Sequence, residues 1–235
     1  DYRERPSHAD QLHVDLWMRG QNVAIDAGTF LYNGQRLWQN GLARTSVHNT
    51  VTVDGSDQML WFSRFTWGEW ARGRVLKHDE RLWQGEHDGY ARFGVKHIRS
   101  VISLDEDRWL VMDRLSGDRP HHFSLQWLLN DFPHSVVPEE NAIRLKGESD
   151  FYVRMGLLDG DANFSVVRGD ERSTRGWRSR YYGQKEPALS VRLDAARAEA
   201  VFWTFFGFDG DRVTPSRENL ELKFDRHSIV LPLKV

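Results

Sequence analysis

Apolar and polar residues alternate with a period of two in one segment after another of this chain. That pattern constrains the fold before any motif is considered. Leu12, Val14, Leu16 and Met18 alternate with His13, Asp15 and Trp17, and Val23 and Ile25 alternate with Ala24 and Asp26. Successive side chains leave a strand on opposite faces, so period two predicts half-buried strands. Arg19-Gly20 stands between the two runs and suits a two-residue hairpin turn. A turn of that length pairs Met18 with Gln21, and the same register carried onward sets His13 opposite Asp26.

The pattern continues. In residues 48–53, Val51 and Val53 share one face and His48, Thr50 and Thr52 the other, before an Asp54-Gly55 turn. Residues 65–75, 81–93, 96–104, 109–115, 122–129, 142–145, 151–157, 188–193, 198–206, 220–224 and 228–233 also read as strands. The acidic turn Asp105–Asp107 makes 96–104 and 109–115 a hairpin. Residues 33–43 and 170–187 read as loops, and a long charged loop on a rigid scaffold is a common seat of function. No amphipathic helix exceeds about two turns, and residues 195–200 are too short to nucleate one. Many short strands with turn residues between them predict an all-β, antiparallel β-sandwich with few or no helices, as a single unit over 1–235.

Composition excludes several functions. With 32 basic and 34 acidic residues, the net charge of −2 argues against a general nucleic-acid surface. The absence of cysteine removes disulfides, thiolate zinc sites and a cysteine nucleophile. No apolar run approaches the ~18 residues of a spanning helix, so no membrane span is expected. Ten tryptophans suit both a strand-rich scaffold and the stacking of sugars. Residues 1–4 do not resemble a signal peptide, and the richest motifs begin a few residues later, so a preceding N-terminal part is expected.

Three strings carry a family resemblance: HAD-x-L-H-x-D-L-W from His8, D-A-G-T-F-x-Y from Asp26 and HNTV-x-VDG-x-x-Q from His48. Residues 86–101, 108–117 and 177–191 add to it. Together they resemble the C-terminal domain of the heparinase II/III-like family, polysaccharide lyases that include heparin, heparan sulfate and some alginate lyases. The resemblance implies a supersandwich-like β domain that follows an N-terminal α/α toroid, with an acidic, uronate-containing polysaccharide in the cleft between them. It implies β-elimination: neutralisation of the uronate carboxylate, abstraction of the C5 proton and protonation of the leaving oxygen. The family is mostly bacterial and often exported, which makes a periplasmic or extracellular location the expectation.

The resemblance also implies a structural zinc held by His8, Asp26 and His48. Two imidazoles and a carboxylate suit that ion. The alternative is a hydrogen-bonded polar network with no metal. The family's catalytic sandwich histidine falls at Pro6, which has neither base nor donor. The lyase mechanism is therefore not carried over intact, and His13 is the nearest replacement as a catalytic residue. His87, Tyr90, Arg178, Arg180 and Tyr182 are the candidate substrate-binding residues, the arginines because a guanidinium pairs bidentately with carboxylate or sulfate. Asp10 and Asp15 read as turn or solvent-face residues, and Asn49 as a strand-start cap. Pro6 keeps a second reading open: a non-catalytic carbohydrate-binding or exopolysaccharide-assembly module. A third is a purely structural sandwich.

Overall fold

The computed structural model describes residues 6–232 except Glu148, Arg217 and Arg226. Among the described residues every regular element is a strand or a single 3₁₀ turn, and every strand pairing is antiparallel. Two long strands, Trp109–Leu129 and Leu189–Phe208, pair along nearly their whole length as a central ribbon. One half of the ribbon is flanked by Lys96–Ser103, Leu82–His87 and Gly73–His78 on one side. Phe151–Leu157, Ala142–Leu145 and His134–Val137 flank it on the other. The other half is flanked by Val51–Val53 and Asn163–Arg168.

A sandwich arises because this ribbon folds back on itself. Trp127 pairs with Val191, yet its ring lies 4.9 Å from that of Phe206. Phe206 is fifteen residues beyond Val191 on the same strand, about 50 Å along a straight strand. The contact therefore requires the two halves to face each other. The turning point is a bulge where pairing steps from Arg197–His121 to Glu199–Ser116, leaving Gly117 to Pro120 opposite Ala198. Proline has no N–H for a ladder, and a bulge bends its strand. The enclosed core contains Leu125, Trp127, Val153, Val191 and Phe206, and Trp127 Nε1 donates to Thr204 Oγ1 at 2.9 Å. Outside the main sheet, a small sheet (Arg212–Pro215, Asn219–Phe224, His227–Pro232) covers Leu110, Trp203 and Phe205.

The sandwich is as the sequence predicts, and several boundaries are not. The hairpin turn at Arg19-Gly20 is present, with both residues at positive φ (48° and 74°), and Met18 pairs with Gln21. The first strand covers only Leu16–Met18, however, and a bulge pairs Leu16 with Ala24, so no ladder carries His13 opposite Asp26. Leu12 turns at φ 62°, because Gln58 and Thr50 capture the backbone of Gln11. His48 precedes its strand, which is Val51–Val53, at the end of a 3₁₀ turn. The segments 109–115 and 122–129 are one strand, as are 188–193 and 198–206. Residues 65–75 divide between Thr66–Gly68 and Gly73–His78, and residues 81–93 form a strand only as far as His87. Leu60–Ser63, His134–Val137, Asn163–Arg168 and Arg212–Pro215 are strands the alternation does not reveal. The predicted end of the last strand at Leu233 lies outside the described residues.

Trp127→Ala is expected to cost about 3–5 kcal/mol, the usual range for a large aromatic removed from a core. Chemical denaturation measures it. A loss below about 1 kcal/mol would contradict the fold-back as the organiser of the core.

Candidate functional site

The three motif segments meet at one buried side chain, Asn49. Its Nδ2 donates to the carbonyls of Val14 (2.8 Å) and Ile25 (3.1 Å), and its Oδ1 accepts from the Leu128 amide (2.6 Å). Its own backbone N–H donates to His13 Nδ1 at 3.0 Å. Asn49 thus ties Val14, Ile25 and Leu128 together by side-chain bonds just where the regular ladders stop, which is more than the cap predicted for it. Gly28 fixes the fourth side. Its φ is +70°, and a Cβ there would stand 2.0 Å from the Ser179 carbonyl oxygen, so only glycine allows the approach. The Ser179 amide then donates to Ala27 O at 2.8 Å. An apolar cluster that includes Ile25, Leu42, Val47 and Trp177 supports these loops from below.

On this frame His8, Asp10, Asp26 and His48 bring their ligand atoms within 4.8 Å of one another. His48 is fully buried, and its Nδ1 lies 3.0 Å from Asp26 Oδ2, but neither of its ring nitrogens has an aligned hydrogen-bond partner. His8 Nε2 is 3.1 Å from Thr29 Oγ1, and its Nδ1 faces Asp10 (3.8 Å) and Asp26 (4.0 Å). Asp26 Oδ1 accepts from the Gly28 amide. Burial alone would raise the Asp26 pKa, but His48, His13 and that amide outweigh it and hold the carboxyl well below its usual range. Burial, and then His48, lower His8. At neutral pH His8 is therefore a neutral imidazole beside the Asp26 carboxylate.

His13 sits beside this group and differs from it. Its Nδ1 lone pair is taken by the Asn49 amide, so in the neutral ring Nε2 carries the proton. That Nε2 is 3.8 Å from Asp26 Oδ2 and is unpartnered. Burial first, then His48, push His13 down to about 3. A neutral ring with its remaining nitrogen protonated offers a donor and no lone pair, which separates His13 from a metal-ligand role.

A second polar network lies behind the first. Arg99, fully buried, donates from Nε (2.7 Å) and Nη2 (2.9 Å) to the two oxygens of Asp113. Its Nη1 donates to the carbonyls of Leu12 (2.7 Å) and Asn49. Asp113 also meets His97 Nε2 (2.7 Å), and His97 Nδ1 meets His87 Nε2 (3.0 Å). Burial would raise Asp113, but Arg99 and then His97 bring it to about 2.

Two of the predicted substrate-binding residues are built into this interior. His87 is buried, and both its nitrogens are engaged, by His97 and by the Gly89 amide. Tyr90 is fully buried, and its hydroxyl donates to Val51 O at 2.8 Å. Both are interior groups of the sheet. The other three lie in the loop against Gly28. Arg178 is half-buried, within the field of Asp15 and Asp26. Arg180 is paired with Glu186 at 2.5 Å. Tyr182 is exposed and packs its ring 5.1 Å from that of Tyr32.

Asp10, read as a turn residue, joins the centre. Its spacing of two from His8 in an extended segment was the available signal. Arg99 had none, because nothing local distinguishes it from the other arginines.

Comparison with known proteins agrees with the motifs. The family described as Heparinase II/III-like, C-terminal, matches residues 1–219. A heparin-sulfate lyase of Pedobacter heparinus is 26% identical over 125 residues, 52% of this chain and 18% of the relative. A heparin-sulfate lyase of Bacteroides stercoris is 26% identical over 121 residues, 48% of this chain and 16% of the relative. Among solved structures, a heparan sulfate lyase from Pedobacter heparinus superposes with a TM-score of 0.71 at 19% identity, covering 97% of this chain and 37% of that one. Heparinase III gives 0.76 at 17% identity, covering 95% and 35%. At such identities the structures speak for the fold. The chain matches less than a fifth of the curated relatives' length.

Asp113 gives a pH test of the network behind the centre. Its folded pKa, about 2, is below the 3.8 of a free aspartate. Its contribution to stability is therefore full above about pH 4 and is lost as pH falls towards 2. Asp113→Asn is expected to lose about 3–5 kcal/mol at neutral pH by stranding Arg99, and to show a shallower acid limb in stability measured by denaturation. An unchanged acid limb would contradict the assignment.

Proposed function

The chain belongs to the heparinase II/III-like C-terminal family, and on that premise we propose that it is the β-sandwich part of a protein acting on a uronate-containing polysaccharide by β-elimination. The observation that carries this reading is the convergence of His8, Asp10, Asp26, His48 and His13 at the junction of the three family motifs. In the reaction the C5 proton leaves to a base. The electron pair forms the C4–C5 double bond, the C4–O bond breaks, and the departing oxygen takes a proton. His13 fits a hydrogen-bond donor in this chemistry, meeting the uronate carboxylate or the departing oxygen without giving up its proton: the Asn49 amide on Nδ1 leaves Nε2–H free to donate, and the ring stays neutral. The proton taken by the departing oxygen comes from another group. His13 does not fit the base. Pro6 supplies none either, so the base comes from elsewhere, and a preceding toroid domain is the proposed source, as the family resemblance implies.

His8, Asp26 and His48, with Asp10 as fourth ligand, fit zinc. One imidazole nitrogen each from His8 and His48, the latter with no aligned hydrogen bond on its buried ring, and a carboxylate held ionised at Asp26 supply the donor set it favours. When bound, the ion supplies a fixed positive charge that pins three loop segments together. Its role here is structural, because every ligand is also a link between segments. Wild-type protein is expected to carry stoichiometric zinc by elemental analysis, to lose it in His48→Ala, and to melt lower after chelation. Metal-free protein with a melting temperature indifferent to chelator would reject the site.

Pro6 favours a second reading, a carbohydrate-binding or exopolysaccharide-assembly module that has lost the chemistry. Ultraviolet absorbance of 4,5-unsaturated products separates the two. The 235-residue chain alone is expected to be inactive on acidic polysaccharides. A polypeptide extended N-terminally with a toroid domain is expected to release product. Binding without turnover by the extended protein would favour the module, and rapid turnover by this chain alone would overturn the bipartite reading.

A further inference from the structure

The outer face of the sheet half that holds Val191 and Leu129 carries two arginines that, among the described residues, form no direct ion pair. Arg192 lies in the Leu189–Phe208 strand, between Ser165 of one neighbouring strand and Gln126 of the other. Val191 and Leu193 on either side point into the core, so Arg192 points away from it. Arg175 reaches the same face from the loop that precedes the strand. Its Nε donates to Ser190 Oγ (3.0 Å) and its Nη2 to Ser165 Oγ (3.2 Å) and Ser190 O (3.4 Å). Arg192 donates from Nε to Gln126 Oε1 (3.3 Å) and from Nη2 to Ser46 O (3.2 Å). Ser190 Oγ donates to the same Gln126 Oε1 at 2.9 Å. One hydrogen-bonded row thus joins the two guanidinium groups.

Every acceptor in that row is neutral. The other arginines carried into the interior have carboxylates: Arg99 has Asp113, and Arg108 has Asp211. Among the described residues neither Arg175 nor Arg192 forms an ion pair, and neither Nη1 has a hydrogen-bond partner. Asp194 acts on both arginines and Asp170 on Arg175 through space without a direct ion pair, and these carboxylates also accept from the hydroxyls of Ser124 and Ser173. Burial, then Arg192, lower the Arg175 pKa to about 10 against the pull of Asp194 and Asp170, and burial lowers that of Arg192 against Asp194. Half-buried like charges side by side are unfavourable unless an anion joins them. Guanidinium groups take such an anion through paired N–H donors.

We propose that Arg175 and Arg192 form an oxyanion-binding site, distinct from the His/Asp centre, that takes a sulfate or carboxylate group. The polar row of Ser165, Ser190 and Gln126 holds both guanidinium groups in place, so the site exists before the ligand arrives. The group comes either from a side group of an acidic polymer or from a free inorganic anion. The site does not depend on the lyase reading, since binding here needs no turnover.

Titration of inorganic sulfate into isotopically labelled protein, followed at the arginine Nε–H resonances, tests this. Sulfate is expected to shift Arg175 and Arg192 saturably, and chloride at matched ionic strength is not. Arg175→Gln and Arg192→Gln should each weaken sulfate binding about tenfold or more, the loss of one charge-assisted contact. In sulfate-free buffer the same variants should melt no lower than wild type, because they remove repulsion; two arginines that merely hold the loop would give lower melting. Heparin and its desulfated form then identify the source. Competition by heparin alone points to a sulfated polymer, and competition by both points to polymer carboxylates. Saturable sulfate binding without competition from either assigns the site to a free anion. Non-saturating shifts equal in sulfate and chloride, or variants that melt lower and bind sulfate unchanged, would overturn the proposal.

Discussion

Arg99 brings a positive charge into the interior and makes four hydrogen bonds there. Two N–H groups meet Asp113, and Nη1 meets the carbonyls of Leu12 and Asn49. A charge taken out of water is tolerable only when it is paired and its remaining donors are satisfied. Asp113 supplies the pairing from the central ribbon. The two carbonyls belong to the residues just before His13 and just after His48. The requirement to satisfy one buried guanidinium therefore fixes the backbone of two loops, and with it the position of two of the three histidines in the centre. The His97–His87 chain on the far side completes the same network and explains why those imidazoles stay inside.

The centre is built on loops, yet few of its atoms are free to move. Asn49 ties the segments together where the regular ladders stop, and Gly28 allows a carbonyl to approach where a Cβ would collide. Side chain-to-backbone bonds of this kind let irregular segments be held as rigidly as strands. They also leave the imidazoles of His8, His13 and His48 turned towards a common point and short of partners, the arrangement expected of groups kept for a ligand.

The two buried-arginine environments make opposite statements. Arg99 has a carboxylate in bidentate contact and is part of the scaffold. Arg175 and Arg192 have neutral acceptors only, on the outer face of a sheet whose inner face is core. The same physical rule assigns the first to structure and the second to binding.

Period-two alternation revealed the class of fold, since it reports only which face each residue takes. It located Ala142–Leu145 and Phe151–Leu157 to the residue, and the turn dipeptides at 19–20 and 54–55, whose φ values need residues tolerant of the left-handed region. The motif strings led to His8, Asp26 and His48, which do come together. Where residues were matched by local pattern alone, their surroundings were not legible. His87 and Tyr90 sit in a family-like string but face inward, because what they touch, His97 and Val51, is decided by strands far away in sequence. His13 reached Asp26 without the predicted register, through a turn at Leu12 and the Asn49 amide.

The sequence by itself determined the strand-rich architecture, the two tight turns and the set of residues able to make a His/Asp centre, because each depends on near neighbours in the chain. Only the tertiary structure decided that the central ribbon folds over Trp127 and Phe206, that Asp10 enters the centre, and that Arg175 and Arg192 share one row of neutral acceptors. Each of those is a contact between segments far apart in sequence, and no local periodicity encodes which partner a buried charge or ring will meet.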